Sequence, residues 1–325
     1  MSDNRRSRLR VFTFLAGLIA GPAGVLLMLA GFARYLPDSS IFQAVGRVSD
    51  SIAPHLLAVV TVLALLVLLL GARRFGILLI LGACVAFAGH FYQHFERTTP
   101  MLEEARVDLR LLWFNMFSDN DVGTEAIVDG LLGSDADVII LAESERMVFH
   151  LSKLQEAYPH QLGCTQICQV LILSKIPFNE ARQGQLSIMS PERFARVDLT
   201  TSAGPVTIIG AHLNKPWFDE FSTDEAHNLA HRVEEIDAPL VLVGDMNSAP
   251  WSRRMAHFHQ DTGWKFALFP PATWPASAGA YGVPIDNALV GGGAQFVSLE
   301  AWGHDMGSNH LGLLAKISLP QSLDN

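Results

Sequence analysis

Six short segments carry side chains able to hold and pass protons: Asn115, Glu143, His212-Leu213-Asn214, Gly244-Asp245-Met246-Asn247, Ile285-Asp286 and Ser308-Asn309-His310. Carboxylates and imidazoles exchange protons in catalysis, and amides hold reacting groups without adding charge. Singly, each segment has an ordinary use, since a Gly-Asp turn or a strand-end His commonly serves only structure. Together they share a position, because each lies at one end of an apolar run of strand length. Catalytic groups concentrate on loops held by a rigid scaffold.

The runs that must position them are legible. Val107–Phe114, Asp137–Leu141, Val170–Leu173, Val206–Ile209, Leu240–Val243, Asn287–Val290 and Leu311–Ile317 read as strands. Thr124–Leu132 and Asp224–Ile236 read as helices. Many buried strands with few helices between them predict two packed sheets with helices outside. No internal repeat or low-complexity tract interrupts them.

This ordered set resembles the endonuclease/exonuclease/phosphatase superfamily over roughly residues 107–320. The most specific stretches are Leu141-Ala142-Glu143, Gly244-Asp245-Met246-Asn247, and Pro284-Ile285-Asp286 with Ser308-Asn309-His310. Phe114-Asn115, the run Ala211 to Trp217, and Leu173-Ser174-Lys175-Ile176-Pro177 support them. The run Asn247 to Trp251 and Thr273-Trp274-Pro275 look like the bacterial branch in which membrane spans precede the domain.

The resemblance implies an α+β fold, a four-layer α/β/β/α sandwich, and phosphoester hydrolysis with a divalent cation, Mg2+ or Mn2+. Glu143 is then the expected metal ligand, since a hard cation takes carboxylate oxygen. Asp245 is the expected base or orienter of the attacking water. Asn247 and Asn115 would hold that water, the phosphate or Asp245. Asp286 would hold His310, which would bind the developing phosphorane. His212 would contact the phosphate from the other side or protonate the leaving oxygen. Asn115, Asn214 and Asn309 are expected at the substrate. Trp217, Trp251 and Trp274 either flank it or pack under loops. One departure is Asn309, where the family usually has an Asp that contributes to the metal site. Asn309 offers a carbonyl oxygen without charge, and Asp305 is a candidate to compensate. Asn287, where relatives often have His, is read as structural.

The rest of the chain differs in kind. Of 325 residues, 50% are hydrophobic and 17% charged, and mean hydropathy is +0.26, against about 25% charged in average soluble chains. Residues 1–95 hold eight Arg, no Lys and three acids, a net charge of +5. Residues 96–325 hold 15 basic and 29 acidic residues, a net charge of −14. The boundary predicts a membrane anchor over 1–95 and a catalytic domain over 96–325. Three apolar runs, at about 11–33, 54–71 and 75–93, are expected to be transmembrane helices. The last two flank a tight turn from Gly71 to Gly76. The first exceeds the roughly 7–15 residues of a signal-peptide core. His90 and His94 read as interfacial residues. Spans without acids or Lys do not suggest a transport path.

Arg5, Arg6, Arg8 and Arg10 before the first run, and Arg73 and Arg74 between the second and third, set an inside N-terminus. In the loop at 33–54, Arg34 and Arg47 are balanced by Asp38 and Asp50. Three crossings then place the acidic domain outside, at a bacterial inner membrane. Cys84 reads as a packing residue. Cys164 and Cys168 are expected to form a short disulfide, which an extracytoplasmic compartment permits; a zinc pair is the alternative. Three functions compete: a membrane-tethered phosphodiesterase or phosphatase acting on a lipid headgroup or small phosphoester, an extracytoplasmic nuclease, and a degenerate binding module motivated by Asn309. The acidic balance argues against gripping polyanions by bulk charge, and Arg253-Arg254 is the only adjacent basic pair in the domain. No protein partner is expected.

Overall fold

The computed structural model describes residues 3–37, 42–120, 123–164, 169–188, 191–233, 236 and 238–320; the side chains of 3–10, 219 and 220 fall outside that description. Cys168 and Asp38 lie outside it, as do the side chains of Arg5, Arg6, Arg8 and Arg10. The chain divides into two units, residues 1–96 with Trp251–Arg253, and the remainder.

Among the described residues the first unit holds four α-helices: α1 (Asp3–Phe32), α2 (Gln43–Ser51), α3 (Ala53–Leu69) and α4 (Arg73–Phe95). Small residues let them approach. Ala30, Ala53 and Ala83 pack with Leu57 and Val60, and a Cβ on Gly76 would collide with Leu68 at 2.6 Å. Phe14, Val62, Leu69 and Val85 face outward instead, as lipid-facing side chains do. Among the described residues, two helices are long and apolar enough to cross a membrane, Val11–Tyr35 and Arg73–Phe95. The expected third span is changed. α3 has 17 residues, about 25 Å at ~1.5 Å per residue, short of the ~30 Å hydrocarbon core. It reaches spanning length only jointly with α2, from which it bends by 76°.

His90 and His94 are buried, and His90 Nε2 bonds the Ala30 carbonyl oxygen at 2.8 Å. Trp251 belongs to this unit. Its indole N–H donates to the Ser51 carbonyl at 2.9 Å, and the Arg253 N–H donates to Asp50 Oδ2 at 2.5 Å.

The second unit holds β1 (Thr98–Thr99), β2 (Leu109–Asn115), α5 (Thr124–Gly133), β3 (Val138–Ala142), α6 (Leu151–Leu154), β4 (His160–Leu162), β5 (Val170–Ser174), β6 (Phe178–Gly184), β7 (Phe194–Thr201), β8 (Gly204–His212), α7 (Asp219–Val233), β9 (Leu240–Asp245), α8 (Arg253–Thr262), β10 (Lys265–Ala267), β11 (Asp286–Gly291), β12 (Gln295–Trp302) and β13 (Gly312–Ser318). One sheet runs β1-β10-β11-β9-β8-β7-β6, the other β12-β13-β2-β3-β5-β4.

Alternation along the strands explains the layers, because successive side chains point to opposite faces. Leu111, Trp113, Val138 and Ile140 of one sheet meet Val197, Ile208, Val241 and Val243 of the other. Their alternates Leu112, Phe114, Ile139 and Leu141 pack with Ile127 and Leu131 of α5 and Leu154 of α6. Ile209, Leu240 and Leu242 pack with Leu229 and Val233 of α7 and Met255 and Phe258 of α8. Both faces of each central strand are buried, so these strands read as unbroken apolar runs. The result is an α+β sandwich of four layers. α7 begins five residues before the expected Asp224. Cys164 is disulfide-bonded, and Cys84 is an exposed free thiol.

Candidate active site

Strand register brings the acids and imidazoles to one edge. β8 and β9 are parallel, and His212 pairs with Asp245; antiparallel β11 begins with Asp286 opposite Asp245. Gly244 permits the close approach, since a Cβ there would meet the Ala211 carbonyl oxygen at 2.1 Å. In the other sheet Asn115 ends β2, and Glu143 follows β3. Ser308 Oγ donates to the Asn115 carbonyl at 2.7 Å, which ties the Ser308-Asn309-His310 turn to the same edge.

Asp245 is buried and held at both oxygens. Asn115 Nδ2 donates to Oδ2 at 3.1 Å, and the Asn247 N–H donates to Oδ1 at 2.9 Å. His212 Nε2 lies 3.7 Å and His310 Nε2 3.8 Å from Oδ2. Burial, with the neighbouring Asp286 charge, pushes the Asp245 carboxyl up to about 7. Asp286 Oδ1 accepts the Trp113 indole N–H at 2.8 Å, and Oδ2 lies 2.8 Å from His310 Nδ1. Burial works against charge on His310, but Asp286 and Asp245 outweigh it and raise this imidazole to about 9. His212 goes the other way. Burial first, then the Arg193 charge, lowers it to about 3, so it is neutral at pH 7.

Glu143 Oε2 accepts the Ser118 N–H at 2.9 Å and its hydroxyl at 3.1 Å, while Oε1 lies 3.9 Å from His212 Nε2. Burial alone would raise this carboxyl, but it is held below the ordinary range. With His212 uncharged, the Ser118 bonds keep Glu143 ionised. Phe117, Glu143 and Asn247 all have left-handed backbone, at φ 60, 50 and 47. Non-glycine residues adopt it at a cost of about 1–3 kcal/mol, and such strain gathers at functional sites.

The donor set fits a hard cation at Glu143. Its Oε1 is left outside the Ser118 bonds, and Asn309 Oδ1 is buried with no hydrogen-bond partner, an orphaned oxygen of the kind a cation satisfies. Asp245, Asp286 and His310 also lie within 4.8 Å of one another. That cluster reads better as a hydrogen-bonded acid–imidazole pair, because an imidazolium at pH 7 repels a cation and Trp113 occupies Asp286 Oδ1.

The remaining expected residues fall elsewhere. Asn214 is spent internally: its N–H and Nδ2 donate to Glu225 at 2.5 and 2.8 Å, and its Oδ1 accepts from Arg193 at 3.0 Å. Trp251 is committed to Ser51 within the helical unit. Trp217 and Trp274 are exposed. Asp305 is exposed at φ 66. Asn287 Nδ2 donates to the Ser248 and Ile285 carbonyls, which is structural.

The sequence assigns no site role to several residues that the site uses. Thr273 Oγ1 accepts the Asp286 N–H at 3.1 Å, and Arg254 Nη1 holds the Met246 carbonyl at 2.9 Å. Trp113, Ser118 and Arg193 join them. The family-like Thr273-Trp274-Pro275 stretch and the inward alternation of Trp113 on its strand are the hints of a site position.

The sequence pattern of the Endonuclease/Exonuclease/phosphatase family matches residues 112–310. No curated protein matches the chain. Among solved structures, D. rerio TDP2 complexed with a single-strand DNA product is similar at TM-score 0.55 and 16% identity, covering 65% of this chain and 98% of that one. The human Nocturnin catalytic domain, with a bound sulfate anion, gives 0.55 and 15%, covering 70% and 99%. An endonuclease/exonuclease/phosphatase from Beutenbergia cavernae gives 0.53 and 18%, covering 66% and 72%. The family pattern spans more than half of the chain and contains every charged residue gathered at the sheet edge, so this protein belongs to the endonuclease/exonuclease/phosphatase family.

Proposed function

We infer that this protein is a membrane-anchored, divalent-metal-dependent phosphoesterase that cleaves a lipid headgroup or small phosphoester outside the cytoplasm. One observation carries the reading: a buried acid held near neutrality, Asp245, beside an imidazolium fixed by a second buried acid. Glu143, with the Asn309 side-chain oxygen, would hold a dication, which when bound would draw charge from a phosphate oxygen. Asp245 takes the proton of the attacking water, its oxygens aimed by Asn115 and Asn247. His310 donates from Nε2 to the developing oxyanion, and Asp286 keeps it charged and oriented. His212 is a neutral donor, and a value of about 3 argues against its protonating the leaving oxygen.

The rate against pH should be a bell. Asp245 acts deprotonated, so activity appears as pH rises through its value; His310 acts protonated, so activity fades as pH passes about 9. A bound dication lowers the acid limb from about 7. A limb at the ordinary carboxylate value of about 3.9, or no alkaline limb, would sink these assignments.

Calorimetry on the full chain in detergent tests the metal. Mg2+ or Mn2+ should bind the wild type and not Glu143→Ala. Asn309→Asp, which adds a charge, should tighten binding about tenfold. Unchanged binding in Glu143→Ala would remove Glu143 from the ligand set.

The Cys164 disulfide supports an oxidising compartment. An outside domain needs three crossings, the second made by α2 and α3 together. A nuclease is the second reading, motivated by the DNA product bound to the D. rerio neighbour. Charge weighs against it. The domain is acidic, and its adjacent basic pair is already engaged: Arg253, which belongs to the helical unit, donates to the Arg34 and Leu36 carbonyls there, and Arg254 donates to the Met246 carbonyl. Bis(p-nitrophenyl) phosphate, p-nitrophenyl phosphate, plasmid DNA and phospholipid vesicles, assayed side by side, separate the readings. Silence on all four without metal binding would leave a binding module.

A further inference from the structure

The catalytic unit exposes apolar side chains that its core does not use. Ile188 is 84% exposed, Trp217 53%, Phe218 41% and Phe221 37%. The last three lie within nine residues of His212, on the loop and first turn of α7 that continue the His212-Leu213-Asn214 segment. Ile188 is held beside the same helix. Ser187 Oγ donates to Glu225 at 2.5 Å, and Asn228 Nδ2 donates to the Leu186 carbonyl at 2.8 Å. Lys215 Nζ stands 5.8 Å from the centre of the Trp217 ring. Aromatic and aliphatic side chains beside a Lys are the composition of a membrane–water interface. A nucleic-acid surface would be cationic, whereas residues 214–225 carry one Lys against four acids. The chain also contains two helices of membrane-crossing length, so this unit is covalently held within reach of a bilayer.

We propose that Ile188, Trp217, Phe218 and Phe221 form a docking rim that enters the headgroup–acyl boundary of a zwitterionic bilayer and presents the site to phosphoesters resident there. Docking stands independently of the phosphoesterase reading; the identity of the bilayer substrate rests on it. Because the strip is acidic, insertion is driven by apolar area, and anionic lipid weakens it.

The test uses the full chain in phosphatidylcholine vesicles. Residues 1–96 contain no Trp, and with Trp251, which belongs to the helical unit, replaced by Phe throughout, quenching of Trp fluorescence by acyl-brominated phosphatidylcholine reports on the catalytic unit. Trp217→Phe keeps the rim apolar and should abolish the larger part of that quenching. The double variant Ile188→Ser with Phe221→Ser should slow hydrolysis of a vesicle phospholipid about tenfold and leave a soluble p-nitrophenyl ester unaffected. Added phosphatidylserine should reduce the quenching. Unchanged quenching in Trp217→Phe overturns the proposal, as does an equal loss on the soluble ester. Strong Trp217 quenching without hydrolysis of any lipid supports docking and removes the lipid from the substrate class.

Discussion

Asp245→Asn should lower kcat by about 10³-fold on whichever phosphoester the wild type cleaves, within the 10²–10⁴ range of a positioned base, and leave the fold in place. An amide cannot take the proton of water at any working pH. Its oxygen still accepts the Asn247 N–H, while the bond from Asn115 is lost, at a cost of about 1 kcal/mol. Against that loss stands the removal of a buried charge. The folded value of Asp245 is raised to about 7, so the protonated form is favoured in the folded state. Ionisation therefore destabilises the wild type progressively as pH rises from its unfolded value to about 7. Thermal unfolding should accordingly place the variant level with or above the wild type at pH 8, and level with or below it near pH 4. Activity within tenfold of the wild type would show that Asp245 is not the base.

Much of this site was legible because its carriers are buried on both faces. Val138 to Leu141 and Leu240 to Val243 are unbroken apolar runs, and a polar group at the end of such a run has few structural uses. β6 was not legible. Its residues Phe178 to Gly184 are mostly polar and exposed, and it forms as an edge strand through backbone bonds to β7 alone. α8 was missed for a similar reason, with Met255, Ala256 and Phe258 as its only buried residues. Trp251 shows a different limit. It stands in a family-like stretch next to Asn247, yet its indole partner is Ser51, 200 residues away. Asn214 was legible as a polar residue near His212, but its commitment to Glu225 depends on how α7 packs. Spacing names the groups at an edge; only tertiary contacts say which are already satisfied.

Asp286 should give the clearest separation of stability from chemistry, through two substitutions. Asp286→Ala leaves the buried Trp113 indole N–H and the His310 Nδ1 proton without their acceptors. Breaking a buried charged pair this way costs roughly 3–5 kcal/mol, and activity should fall with it. Asp286→Asn keeps an oxygen for Trp113 and removes only the charge. His310 then keeps only Asp245 and Glu143 to offset its burial, and its value drops from about 9. The alkaline limb of the rate profile should move down accordingly, with kcat reduced about 10²-fold or more at pH 8. The stability effect has its own pH signature. A raised histidine contributes fully below its unfolded value and loses that contribution as pH rises through about 9. The gap in denaturant midpoint between wild type and Asp286→Asn should therefore be widest below about pH 6.5 and narrow towards pH 9. A wild-type alkaline limb in Asp286→Asn would mean that the charge on His310 is set by some other group and that the pair has no part in the reaction.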